Sequence, residues 1–323
     1  MLEKSKALID DFQKNVMDYK TQLMGWSIIF IVLCHSSAIG LSFLSVFGAG
    51  MIGADVFILL SGYSLGFSIN KYPVKKFYQR RVLRIYPMYL ILALSECLII
   101  HLLSTPLTIG DFVSTALFLP YYGLRGGYIA DWYLSISILF YLLYPVLYRL
   151  STKRILICSC LLAFAIHLLF SAGVININSL LACGLARLPM FCWGIFLFKT
   201  KEQNISIKWY LLWIVLLVLS LTVYVYGIKV HLFWLMDCVT PFVVILMYKI
   251  IKEYNLFDKI INIIGQYSIE IYVANLTMVT LCSLLSSGIL VKAIVYFGGT
   301  IFLSFLWIYI NGIIQNVTKR VSQ

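Results

Sequence analysis

Long apolar runs alternate with short polar gaps along the whole chain, and a run of roughly 20 apolar residues is what a helix needs to cross a bilayer. That criterion predicts spans at 23–43, 46–69, 86–103, 131–149, 155–171, 179–198, 209–226, 231–250, 264–285 and 289–313. The piece 106–122, bounded by Pro106 and Pro120, is short and reads as a re-entrant or interfacial segment. The expected fold class is all-α: a polytopic membrane helical bundle of about ten transmembrane helices. A tail at 1–22 precedes the membrane domain at 23–313, and a tail at 314–323 follows it.

Composition supports the membrane reading. Of the 323 residues, 62% are hydrophobic and only 12% charged, about half the charged fraction of a soluble domain. A net charge of +12 raises nucleic acid as a partner, but the basic residues occupy the gaps between apolar runs. Short cytoplasmic loops collect Lys and Arg. With the N-terminus inside, only Arg125, Lys229 and Lys292 fall on the outer side, and Arg187 lies within a span. Topology therefore accounts for the charge without nucleic acid, and both termini are expected to be cytoplasmic in a multi-pass protein of the plasma membrane. The eight cysteines form no CxxC pair and no Cys/His spacing for zinc. They read as reduced core thiols, and no metal site is expected.

Ionisable residues inside the spans are the candidate chemistry, because a polar group in hydrocarbon must find a partner. His35 sits deep in the first apolar run, and histidine titrates near neutral pH. The first two spans form a hairpin with its turn near Leu44 and Ser45. His35 and Asp55 are each about ten residues from that turn, which puts both roughly 15 Å below the outer face. A carboxylate at that depth would orient the imidazole as an acid does in hydrolase triads; alternatively, each group is satisfied separately. Arg187, at comparable depth, also needs an anion, either Asp55 or a substrate group. Glu96, Asp237 and Glu270 are further intramembrane acids, while His101 and His167 lie near span ends as ordinary packed residues. On the inner connector, Arg81 and Arg84 are three apart and share a helix face with Arg80 beside them. Guanidinium groups suit phosphate oxygens, but positive-inside topology and lipid headgroups would also place them there.

Several stretches together resemble the membrane acyltransferase family usually called acyltransferase 3, the O-acyltransferases of surface polysaccharides. They are Gly25 to Ser36 with His35, Gly53 to Tyr63, Arg80 to Pro87, Trp132 to Pro145, Arg187 to Gly194 and Ile264 to Asn275. Each is weak alone, but they run in the family's order over nearly the whole chain. The resemblance implies a ten-span bundle that moves an acyl group from acetyl-CoA, or another acyl-CoA, to a glycan or glycolipid hydroxyl. It implies catalysis by His35 and donor binding by Arg81 and Arg84; beside it, the hairpin reading makes Asp55 the expected orienting acid, and Arg80 is expected to join the donor site. Arg187, Trp132 and Asn275 then serve the acceptor side or the structure. No cofactor is held permanently; acyl-CoA is a substrate. Met24, Ser137 and Asn275 stand where the family often has Arg, Glu and His.

Two other classes remain open on sequence. Intramembrane His, Asp, Arg and Glu also line transporters or flippases of lipid-linked glycan, although no inverted repeat is evident. A non-catalytic relative with a binding role is the third. The acceptor, the acyl chain and the oligomeric state are not written in the sequence.

Overall fold

The computed structural model describes residues 2–41, 50–150, 152–171, 173–174, 177–201, 232–254 and 257–321. Among these the regular structure is entirely helical. The order is α1 (Leu2–Asn15), α2 (Lys20–Ser36) with a 3-10 turn at Ser37–Ile39, α3 (Ile52–Lys71), α4 (Val74–Leu103), α5 (Ile109–Ala116), α6 (Tyr133–Arg149) and α7 (Thr152–Ser171). There follow α8 (Ser179–Leu185), α9 (Leu188–Lys199), α10 (Leu232–Tyr254), α11 (Asp258–Gln266), α12 (Ser268–Leu284) and α13 (Ile289–Val321).

Among the described residues, five helical stretches are long and apolar enough to cross a membrane: Lys20–Ile39, Ile52–Lys71, Val74–Leu103, Ser179–Lys199 and Ile289–Asn316. A sixth is added if α11 and α12, bent by 72° at Tyr267, count as one broken span. The expected span 209–226 lies outside the described residues, and 231–250 is represented by α10 from Leu232 onward. In place of a span at 106–122 the chain forms α5, eight residues long and so about 12 Å in length, too short to cross. A capping box fixes its start, with Thr108 Oγ1 accepting from the Asp111 amide and Asp111 Oδ2 accepting from the Thr108 amide.

The segment 1–22 is more than a tail. Helix α1 lays Phe12 and Gln13 into the bundle, with Val16 buried just beyond its end, and Gln13 Nε2 donates to Thr200 Oγ1 at 2.9 Å. Asp11 accepts from Lys252 Nζ at 2.6 Å and from Tyr248 Oη at 2.7 Å, tying α1 to α10. Burial by itself raises the Asp11 carboxyl, but the hydrogen bonds from Lys252, Tyr248 and Asn15 outweigh it and hold it below the usual range. At the other end α13 runs on past 313 to Val321 as one helix.

Helices α3 and α9 form the centre of the bundle, and α13 is its most exposed long helix. Apolar side chains gain little from contacting each other instead of lipid tails, so membrane helices associate mainly through close van der Waals contact at small residues. Here Gly62 of α3 and Gly194 of α9 face each other. A Cβ at Gly62 would overlap the Phe191 carbonyl, and one at Gly194 would overlap that of Leu59. The same device joins α2 to α11, where Gly25 meets the Ile261 carbonyl and Gly265 meets that of Thr21. Both contacts put backbone against backbone, so neither side can move aside by changing a rotamer.

Gly194→Val is expected to lower stability by about 1–3 kcal/mol, the usual cost of overpacking. Gly298→Ala, which meets nothing within 4 Å, is expected to change little. Apparent unfolding temperatures in detergent check both, and equal values for the two variants would mean that α3 and α9 do not cross in this way.

Candidate active site

The site begins at the C-terminal end of α2. His35 Nδ1 lies 2.7 Å from Asn275 Oδ1 on α12. Asn275 Nδ2 donates to Tyr296 Oη on α13 at 2.5 Å, and Tyr296 Oη donates to the Val32 carbonyl at 2.6 Å. This chain settles the proton positions. A tyrosine hydroxyl has one hydrogen; spent on Val32, it leaves the hydroxyl to accept from Asn275, which turns the Asn275 oxygen toward the ring. That oxygen only accepts, so His35 carries its proton on Nδ1, and Nε2 holds the free lone pair. The imidazole is half-buried, while Asn275 and Tyr296 are fully buried.

Beside His35, Tyr272 of α12 lies with its ring centroid 6.4 Å from that of the imidazole. Its hydroxyl donates to Asp131 Oδ1 at 2.8 Å, and Asp131 Oδ2 accepts from the amide of Leu134 at the start of α6. Tyr272 also lines a cavity of about 80 Å³ whose other walls include Tyr133, Phe57 and Ser61, and, toward the basic face, Lys20, Arg81 and Arg84. Met24, where the family often has an arginine, lines it too. The three cations belong to α2 and α4 and face one space. Lys20 was not legible as a site residue, because in sequence it looks like one more basic residue of the tail. Arg80 points elsewhere, with its guanidinium 4.6 Å from the Tyr72 ring centroid, and does not line this cavity.

Asp55 is not the orienting acid of His35. Its Oδ1 lies 2.8 Å from Arg187 Nε, with both side chains completely buried, and Thr240 Oγ1 donates to Oδ2 at 3.4 Å. The guanidinium packs over Trp132, 4.5 Å from its ring centroid, and Nη1 donates to the Cys183 carbonyl at 2.6 Å. The turn near Leu44 and Ser45 lies outside the described residues, and depth counted from it says nothing about azimuth. Gly53 seats α3 against Ser27 and Ile31 of α2, and Asp55, two residues on, turns to the break between α8 and α9 where Arg187 sits. Asp55, Arg187 and Trp132 thus form a closed structural cluster. Asn275, grouped with Arg187 and Trp132 on sequence, belongs to His35 instead.

Two of the remaining intramembrane acids, Glu96 and Glu270, have partners. Glu96 accepts from Thr280 Oγ1 at 2.7 Å and from Tyr128 Oη at 3.3 Å. Glu270 accepts from Asn311. The side chains of Asp237 and His167 lie outside the described residues. Ser137, at the position where the family often has a glutamate, returns its hydroxyl to the Tyr133 carbonyl at 2.7 Å.

With this geometry in place, comparison with known proteins gives a consistent result. The family model described as an acyltransferase domain, acyltransferase 3, matches residues 23–310. Acyltransferase MdmB of Streptomyces mycarofaciens is 30% identical over 152 residues, 41% of this chain and 39% of that protein. The match therefore spans well under half of the relative's length. No solved structure matches the chain.

The closed cluster makes its own prediction. Removing one partner of a buried ion pair leaves an uncompensated charge and costs about 3–5 kcal/mol, whereas replacing both by apolar residues of similar volume is far less costly. Asp55→Leu is expected to unfold at a markedly lower temperature than wild type, and Asp55→Leu with Arg187→Met is expected to recover most of the loss. A wild-type unfolding temperature for Asp55→Leu, together with lost activity, would return Asp55 to the catalytic group.

Proposed function

The chain belongs to the acyltransferase 3 family, and from that premise we propose that it transfers an acyl group from acyl-CoA to a glycan hydroxyl within the plasma membrane. The observation that carries the reading is the fixed His35 tautomer beside a cavity that opens to three cations. Nε2 of His35 acts as general base: it takes the proton of the acceptor hydroxyl as that oxygen attacks the thioester carbonyl. The carbon–sulfur bond then breaks, and the departing CoA thiolate takes the proton back from the imidazolium. Asn275 holds the ring in position through this exchange, the role an asparagine has in cysteine–histidine–asparagine sites.

Donor placement follows from the charges. Phosphates of CoA are met at the basic face by Lys20, Arg81 and Arg84, and the thioester arm runs along the wall that Tyr133 and Tyr272 form together toward His35. A cavity of about 80 Å³ suits a slender arm with a short acyl group, which favours acetyl. The acceptor is a hydroxyl of a cell-surface or lipid-linked glycan, approaching from the side of α2 that carries His35, with membrane lipid around it.

Two sets of variants test this reading. His35→Ala is expected to abolish O-acylation of the surface glycan at normal protein levels. Asn275→Leu is expected to lower kcat by about 10²-fold, the lower range of general-base effects, and Tyr296→Phe to have a smaller effect in the same direction. Compositional analysis of the glycan for O-acyl groups reads all three, and an unchanged acyl content after His35→Ala would sink the mechanism. Separately, Arg81→Ala with Arg84→Ala is expected to weaken acyl-CoA binding with membrane insertion intact; equal affinity of wild type and double variant would refute the donor assignment.

A further inference from the structure

The narrow cavity and the base are not in direct contact. His35 does not line that cavity; Tyr272 does, and the imidazole lies behind it. The phenol ring is therefore a partition between the space where the thioester arrives and the nitrogen that has to act on it. It is held on two sides. Its hydroxyl donates to Asp131 Oδ1 at 2.8 Å, and Tyr133, which lines the same cavity, packs edge-on against it with ring centroids 5.3 Å apart. Asp131 is 5% exposed and lies just before α6, where the Leu134 amide donates to its other oxygen.

On the far side of the partition the space is wet. A wider cavity of about 480 Å³ adjoins the narrow one, shares Arg81 and Arg84 with it and is lined further by Lys76, Arg80, Glu270 and Asn311. A cavity that roomy and polar holds water and carries it toward the thioester. A base that faced the thioester continuously would lose acyl groups to that water, the side reaction a closed site prevents. Opening has a definite cost, because the ring cannot turn aside without taking its hydroxyl from a buried carboxylate and leaving that oxygen unmatched. A ligand shifts such an equilibrium only by binding the open form better. A glycan can do so, since a hydroxyl next to the reacting one donates to Asp131 Oδ1 in place of Tyr272.

We propose that Tyr272 and Asp131 form a shutter between acyl donor and base that the acceptor opens. Tyr272 is a positioning residue: closed, it keeps the thioester from His35; turned aside, it lets the arm reach Nε2 while Asp131 holds the glycan. This rests on the acyl-CoA reading above and adds to it a reason why transfer goes to a sugar and not to water. With the latch removed, the outcome is hydrolysis. The oxygen of water bonds to the thioester carbonyl carbon as His35 Nε2 takes one proton from it, the carbon–sulfur bond breaks, and the departing thiolate takes that proton from the imidazolium.

Thiol release from acetyl-CoA without acceptor is the readout, on purified protein in phosphatidylcholine nanodiscs. Tyr272→Phe keeps the ring and removes only the latch. It is expected to raise acceptor-free hydrolysis about tenfold or more, the size of one hydrogen bond to a charged group. Asp131→Asn leaves one oxygen for two donors and is expected to act in the same direction. Adding His35→Ala to either variant is expected to abolish the rise. A pair that served packing alone would lower hydrolysis and transfer together. Hydrolysis at or below the wild-type rate in both variants, or a rise that survives His35→Ala, would overturn the shutter and leave the acyl-CoA reading standing. If wild type releases no thiol from acetyl-CoA even when membranes from cells lacking the protein supply the acceptor, the acyl-CoA reading falls and the shutter with it.

Discussion

The absence of water between the helices governs this molecule more than any single contact. A polar side chain at membrane depth has no solvent to fall back on, so each must be matched by another side chain, by a backbone group, or by a cavity that admits a ligand. Asp55, Arg187 and Trp132 are the first kind: a full charge pair, closed on all sides, at the junction of the most buried helices. Glu96 and Asp131 are matched by hydroxyls of Tyr128, Thr280 and Tyr272. Lys20, Arg81, Arg84, Glu270 and Asn311 line open space, and His35 lies behind Tyr272, which lines it too. The division between closed and open polar groups separates scaffold from chemistry without any appeal to which residue types are usually catalytic.

Much of this was legible in the sequence because its causes are local. Apolar run length predicts ten spans, of which five or six are long and apolar enough to cross among the described residues, and the piece between Pro106 and Pro120 holds only the short α5. Helical spacing places Arg81 and Arg84 on one face, and both line the same cavities. What failed depends on rotation about helix axes. Hairpin arithmetic gives the depth of Asp55 but not the side of α3 from which it projects, and that side is set by Gly53 and Gly62 packing against α2 and α9. Tyr296 was invisible, one of 22 tyrosines whose partner lies 264 residues away. Lys20 looked topological because a membrane protein places basic residues at that face whether or not they bind anything.

The broken helix links the scaffold to the open space. Continuous α-helix satisfies its own backbone and presents a smooth wall, while a bend at membrane depth is tolerated where it is buried in protein or lines a cavity. The 72° break at Tyr267 brings Gln266, Ser268 and Ile269 into the narrow cavity and Glu270 into the wide one. Its arm α11 is pinned to α2 by Gly25 and Gly265 and by Gln22, which donates to Asp258. One turn beyond the bend, α12 carries Tyr272 and then Asn275, the two residues that flank the imidazole. A single discontinuity thus sets the two cavities and the histidine's partners in one register.

The identity of the partner bears on the chemistry. A carboxylate at Nδ1 would add a negative charge beside the ring and would draw the imidazole toward its charged form through the opposite-charge interaction. An amide oxygen fixes the same tautomer and adds no net charge. Its own orientation is enforced one bond further out by Tyr296 and the Val32 carbonyl. In the neutral ring the proton is therefore held on Nδ1 and the lone pair on Nε2. Asn275, which departs from the residue often found at that position, thus orients the ring through a contact that brings no counter-ion.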